Sequence, residues 1–271
     1  MKVILSRKGF DSENGKIPSV VMPDGAVLSF PIPSRIDTMR YSDLQYGGVR
    51  YNEILADLLG RRGDCTCHCD PDVDVSRHVR RPKHWVPGFG QCSSSLTYLM
   101  DTVQVEPGDL FLFFGWYRFV EKVDGAFRYV RRADDYYQNH DIHLIWGYLQ
   151  VGKILTSFAE KSRLLPWHPH SALYRDGDYR DYIFVARDTL SFAPDMPGAG
   201  ILPYARHRVL TLEGKSKAYW KVNAVYDPEH IIGSRKNSAR GDGIYYSGIW
   251  QELGLKEGKA AEEWAKRMIQ K

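Results

Sequence analysis

The chain lacks any apolar run approaching the roughly 18 residues that a membrane-spanning helix needs, and the apolar stretch in its opening MKVILSRKGF is too short for a secretory leader. These absences argue against a helical membrane span and against export, so the expected address is cytoplasmic. Cysteine is scarce, with four in 271 residues. Three of them, Cys65, Cys67 and Cys69, crowd together, a spacing that suits reduced thiols or a metal better than an extracellular disulfide framework. No internal repeat or low-complexity tract is present, which removes solenoids and linker-like chains. Nor does charge of one sign dominate. The 37 basic and 33 acidic residues leave a net charge of +4 and a pI near 8.7, enough to tolerate a polyanionic partner and too little for a protein dedicated to coating DNA.

What is abundant is aromatic surface. Tyr, Phe and Trp number 17, 11 and 7, a combination that suits β-sheet packing first and flat walls for stacked bases second. Hydrophobic residues at 43% and charged residues at 26% place the chain among folded globules. One domain over residues 1–271 is the simplest partition.

Patterning predicts a first strand over Lys2–Leu5 that runs into the polar loop Ser6–Ser12. Pro23-Asp24-Gly25 lies between two apolar runs and predicts a hairpin. Ile54, Leu55, Leu58 and Leu59 recur at helical spacing before Gly60, which predicts a helix over Arg50–Leu59. Ser93, Ser94 or Ser95 can cap a second helix reaching Met100. Glu106-Pro107-Gly108-Asp109 then turns the chain into LFLFFGWYRFV, its most apolar strand, and Val123-Asp124-Gly125 folds it back antiparallel. A strand over Asp141–Ile154 and a short helix over Thr156–Leu164 follow. Short strands over Tyr182–Ala186, Arg208–Leu212 and Lys221–Tyr226 come next, and an amphipathic helix over Lys259–Gln270 ends the chain.

Several segments carry residues suited to chemistry. Asp64 to Asp72 holds three thiols, an imidazole and carboxylates, but its gaps are wrong for a zinc ribbon and Cys92 is the only other cysteine. A mixed set is more attractive: His68 with Asp70 or Asp72, completed by His168 and His170 of the His-Pro-His segment, would hold a divalent metal with positions left open. An Asx-Pro turn at Asp70-Pro71-Asp72 accounts for the same carboxylates without a metal. Ser6, Arg7, Lys8 and Asp11 follow a strand end and offer a hydroxyl, two cations for phosphate and a base, although a solvated turn explains them equally well. Gln91 and Cys92 precede three serines at a helix start, where unpaired N–H groups favour an anion, and a nucleophilic Cys92 would need a histidine beside it. Gly115-Trp116 and Trp146-Gly147 set an indole beside open space in neighbouring strands, which makes a wall for a planar base or simply relieves crowding at a bend. His143 is either an acid–base candidate or a core histidine.

The order Pro-Gly-Asp, apolar strand, hairpin, then an apolar strand ending in Val-Gly resembles the core of PUA-like β-barrels, including the EVE and YTH relatives that read modified bases. The expected fold class is therefore α+β, with a β-rich mixed or antiparallel sheet, flanking short helices and a PUA-like barrel core at about 105–190.

ILSRKGFDS, PSVVMPDGAVLSFPIP, CHCDPD, FGQCSSS, GDLFLFFGWYR and DIHLIWGYLQVG, taken in that order, resemble the nucleotide modification associated domain 3 family through most of the chain. The resemblance implies a setting among systems that alter bases in DNA, with Arg7, Lys8, Asp11, Asp70, Asp72, Gln91, Trp116 and His143 in motif positions. Cys69 departs from it, since an apolar residue is more usual there. The first functional expectation is a component of a DNA base-modification system that binds a nucleotide or extruded base through Ser6, Arg7, Lys8, Gln91, Trp116 and Trp146. Asp11, Asp70 and His143 are its candidates for catalysis. The alternatives are a non-enzymatic reader of modified bases and a metalloenzyme acting on a small molecule. Expected partners are nucleic acid or nucleotide and other proteins of the modification system. All of this requires the segment after the first strand, the CHCDPD turn and the two indoles to meet in one cleft.

Overall fold

The computed structural model describes residues 1–61, 63–172 and 180–270. Among these, ten strands form the main sheet: Val3–Arg7 (β1), Ser19–Val21 (β2), Val27–Leu28 (β3), Gly88–Cys92 (β4), Leu110–Val123 (β5), Ala126–Tyr129 (β6), Ile142–Leu155 (β7), Asp181–Ala186 (β8), Ala199–Ile201 (β9) and Glu252–Leu255 (β10). Short helices flank it: Tyr51–Leu59 (α1), Ser93–Thr97 (α2), Tyr136–Asn139 (α3), Phe158–Leu164 (α4), Pro169–Ala172 (α5) and Lys259–Gln270 (α6). The class is mixed α+β, with the sheet curled into a half-barrel. None of the described helices is long and apolar enough to cross a membrane.

The apolar run of β5 is the spine. It lies antiparallel to β7, parallel to both β1 and β2, and folds back on β6 through the Asp124-Gly125 turn. Because strand side chains alternate, consecutive phenylalanines serve opposite faces. Leu110, Leu112 and Phe114 pack with Trp220, Tyr246 and the apolar stripe of α6, whereas Phe111 and Phe113 pack with Phe89, Leu99 and Phe184. A third apolar cluster gathers α1 and the β2–β3 hairpin around Phe10, Phe30, Tyr41 and Cys67.

The hairpin, the LFLFFGWYRFV strand with its return, and the C-terminal helix lie where patterning predicts them, and α1 ends at Gly60 in the left-handed region, φ 65°. Three expectations shift. The first strand continues through Ser6 and Arg7, because both keep ladder partners in β5. The helix after Cys92 is not capped by a serine side chain; Cys92 is its N-cap residue, and the helix passes into a π-helical turn over Tyr98–Val103. Arg208–Leu212 and Lys221–Tyr226 are not regular strands. Val209 and Thr211 make only isolated bridges, and the ladder forms instead at Tyr219–Trp220. Arg208 is buried and donates to the carbonyls of Met268 and Pro203, a side-chain role that strand propensity does not encode.

Along its main path the sheet runs β10-β1-β5-β7-β8-β4, so β10 and β4 are its two ends. The curl brings these ends face to face. Gln91 of β4 donates its Nε2 to Glu252 Oε1 of β10 at 2.7 Å, and Lys8 Nζ lies 3.2 Å from the same oxygen. Glu252 is fully buried, and a buried carboxylate is tolerated only when partners of this kind replace its water. Glu252→Ala removes the group on which both ends converge. It is expected to lower the free energy of unfolding by about 3 kcal/mol in urea titration, and a loss below about 1 kcal/mol would mean that the closure is held elsewhere.

Candidate functional site

The closed ends enclose a cleft of about 530 Å³. Arg7 and Lys8 enter it from the end of β1, and Gly9 follows at φ +86°, where a Cβ would press on Ser29 Oγ. Gln91, Cys92, Ser93–Ser95, Asp11, Arg235 and Trp250 also line it. His68, Asp70 and His170 complete the lining.

The CHCD run reaches the cleft by simple alternation. Cys67–His68 is a short strand paired with Ile32–Pro33. Cys67 and Cys69 turn into the apolar cluster, while His68 and Asp70 face the cleft. Burial raises the pKa of both buried thiols well above the ordinary range. The segment is fixed along β4: Asp72 and Gly88 exchange backbone hydrogen bonds, and the Gly90 N–H donates to Asp70 Oδ1 at 2.6 Å. Glycine at position 90 also makes room for His170, whose ring would overlap a Cβ there.

These side chains form one polar chain. His68 Nδ1 donates to Asp37 Oδ2 at 2.9 Å, His170 Nδ1 donates to Asp181 Oδ1 at 2.5 Å, and the two Nε2 atoms face each other at 3.2 Å. Lys161 Nζ anchors the far end on Asp181 at 2.9 Å, with both side chains buried. His168 accepts the His170 backbone N–H on Nδ1, which leaves the proton on Nε2, and that nitrogen lies 3.3 Å from Asp70 Oδ1. Burial would raise the Asp70 pKa, yet His168, His170 and Lys8 hold it well below the carboxylate range. Burial is the largest single influence on His68 and works against its charge, but the Asp37 hydrogen bond together with the negative charges of Asp70 and Asp37 raises that pKa; at His170 burial prevails over Asp181 and Asp70 and lowers it.

Of the residues singled out from sequence, Arg7, Lys8, Asp11, His68, Asp70, Gln91, Cys92 and His170 line the cleft. Asp11 also accepts the N–H groups of Glu13 and Asn14, closing its turn. The others are placed elsewhere. Ser6 is fully buried in β1, facing away from Arg7. Asp72 is engaged by His78 Nε2 at 2.9 Å and by Trp85 Nε1 at 2.8 Å, outside this cleft. His168 stands behind Asp70 rather than in the lining. The indoles do not meet as expected. Trp116 shares the alternation of Phe114 and lies under Lys217, whose Nζ is 4.2 Å from its ring. Trp146 packs with Phe113 on the opposite face. His143 is a buried core residue whose Nδ1 accepts from Trp220 Nε1 at 3.0 Å. Sequence reasoning missed Asp37, Asp181, Lys161, Arg235, Trp250 and Glu252. A carboxylate opening an apolar strand, as in DYIFVA and ELGL, was the available signal for Asp181 and Glu252.

Residues 2–254 match the family model described as nucleotide modification associated domain 3. The match spans nearly the whole chain, and the chain belongs to that family. No curated protein and no solved structure matches it.

His143 gives a pH test of the core. Burial, with the charges of Arg7 and Lys217, pushes its pKa well below the ordinary 6.5. The unfolded chain therefore binds the proton more readily, and stability falls as pH drops below the unfolded value. His143→Gln is expected to remove a component of about 1.4 kcal/mol per pH unit below pH 6.5. Urea titrations of both proteins at pH 7 and pH 5.5 check this, and parallel losses would contradict it.

Proposed function

We propose that the cleft binds a nucleotide, or a base extruded from DNA, and that His68, Asp70 and His170 carry out chemistry on it as part of a DNA base-modification system. Family membership supports the setting. The volume of about 530 Å³ falls within the range of sites for molecules of nucleotide size. Arg7 is the cation free for a phosphate: Lys8 is engaged by Glu252 and Arg235 by the carbonyls of Glu252 and Ser94, whereas among the described residues no carboxylate lies within ion-pair distance of Arg7. Trp250 is the indole that lines the cleft, in place of Trp116 and Trp146.

The observation that carries this reading is that an uncompensated cation and a titratable His–Asp–His cluster share one cavity. A pure reader of modified bases would be expected to present aromatic walls rather than an ionisable floor. Nucleic acid, partner proteins of the modification system and a cytoplasmic location suited to four free thiols belong to the same proposal.

Mass spectrometry of DNA nucleosides from cells carrying the complete system is the test. The modified nucleoside is expected to disappear with Asp70→Asn, and an unchanged inventory would contradict catalysis. In the isolated protein, Arg7→Ala is expected to weaken binding of a deoxynucleoside monophosphate by about 1.5–3 kcal/mol, the worth of a charge-assisted phosphate contact. Isothermal titration calorimetry reads the loss, and equal affinity would remove Arg7 from phosphate recognition.

A further inference from the structure

The contact between His68 and His170 is one that two neutral rings cannot sustain. Each donates Nδ1–H to a carboxylate, so two Nε2 lone pairs would face each other at 3.2 Å. A cation has to lie between or beside them. A proton would serve, but the surroundings call for more charge than that. Asp37, Asp70 and Asp181 bring three carboxylates, Lys161 returns one positive charge and the charge of Lys8 is shared with Glu252, in a site whose three aspartate side chains are at most 7% exposed.

We propose that His68 Nε2, His170 Nε2 and Asp70 Oδ2 bind one divalent transition-metal ion, with Asp37 and Asp181 as the outer carboxylates that orient the two imidazoles. Metal–nitrogen bonds of about 2.1 Å set neighbouring ligand atoms roughly 3.0–3.4 Å apart between octahedral and tetrahedral angles, and the observed separation of 3.2 Å lies within that span. Asp70 Oδ1 is taken by the Gly90 N–H, while Oδ2 lies 3.9 Å from His170 Nε2. All three donor groups fall within 4.8 Å of one another. An imidazole whose Nδ1–H is held by a carboxylate is the usual outer arrangement of a metal-bound histidine, and here both rings have it.

Two imidazoles and one carboxylate suit iron(II), manganese(II), cobalt(II) or zinc(II) better than magnesium or calcium. Three protein donors leave positions on the cleft side for water or for an oxygen of the bound nucleotide. The centre deepens the reading of the cleft as a reactive nucleotide site and rests on it for what the ion would act on, while the ion itself rests on the geometry alone. The neighbouring trio Cys69, Asp72 and His78 does not compete, because the Asp72 oxygens already accept from His78 and Trp85.

The test titrates untagged, chelator-treated protein with cobalt(II) alone, followed by calorimetry and by the visible absorption of the bound ion. One equivalent is expected to bind. His68→Gln, at a side chain that still reaches solvent, is expected to weaken binding about 100-fold or more, and Asp181→Asn roughly 10- to 100-fold. Cys69→Ser, in the neighbouring trio, is expected to leave binding unchanged. Absence of stoichiometric binding, binding indifferent to His68→Gln, or binding abolished by Cys69→Ser would each overturn the proposal. Should His68→Gln fail to fold, the wild-type cobalt spectrum decides: absence of nitrogen-ligand d–d bands overturns the centre. Cobalt binding without deoxynucleotide binding would leave the centre standing and remove the nucleotide reading; nucleotide binding without cobalt would do the reverse.

Discussion

One buried carboxylate holds the arrangement together. Glu252 sits in an end strand of the main sheet and is reached from the other end by Gln91 and by Lys8, the residue that follows β1. A sheet curled only by its intrinsic twist would leave these ends apart; the shared carboxylate draws them together, and the cleft is the space between. Lys8 is thereby committed and Arg235 is held by the carbonyls of Glu252 and Ser94, which leaves Arg7, among the described cations lining the cavity, to meet a ligand. The same closure turns the residues after β1 toward the His–Asp–His floor, although Arg7 and His170 are far apart in sequence.

Electrostatics on the floor follow from burial. Asp70 and Asp181 would be unstable there as isolated anions, and each is held by histidine, lysine or backbone N–H partners. Because the carboxylates hold the outer nitrogens of His68 and His170, their inner nitrogens have little freedom to turn away. Glycines at positions 88 and 90 make the packing possible: a Cβ at the first would crowd Leu165 and His168, and at the second would occupy the ring of His170. The GFGQC strand thus supplies both the closure, through Gln91, and the space for the histidines.

The apolar framework was legible because period-two and period-3.6 patterns report local burial directly. The β5–β6 hairpin and the C-terminal helix are cases in point. That His68, Asp70 and His170 are side chains able to share one polar site was also readable from residue type, and the structure brings the three into one cleft. Which carboxylates would accompany them was not. Asp72 is adjacent in sequence yet paired with His78, whereas Asp37 and Asp181 come from distant segments that only the sheet order brings near. The two Trp–Gly pairs misled for a related reason: similarity of motif carries no information about face, and alternation sends Trp116 and Trp146 to opposite sides of the sheet. Arg208 and Lys221 lie in stretches of strand-like composition whose backbone is fixed instead by side-chain and bridging contacts.

The account stands or falls on one cleft serving both phosphate recognition and chemistry. A crystal structure of the protein grown with a deoxynucleoside monophosphate tests it most directly. The account predicts the phosphate against Arg7 with the base or sugar directed toward His68, Asp70 and His170. A nucleotide bound on another face, or one lying in the cleft with its phosphate away from Arg7 and no atom near the histidines, would contradict it.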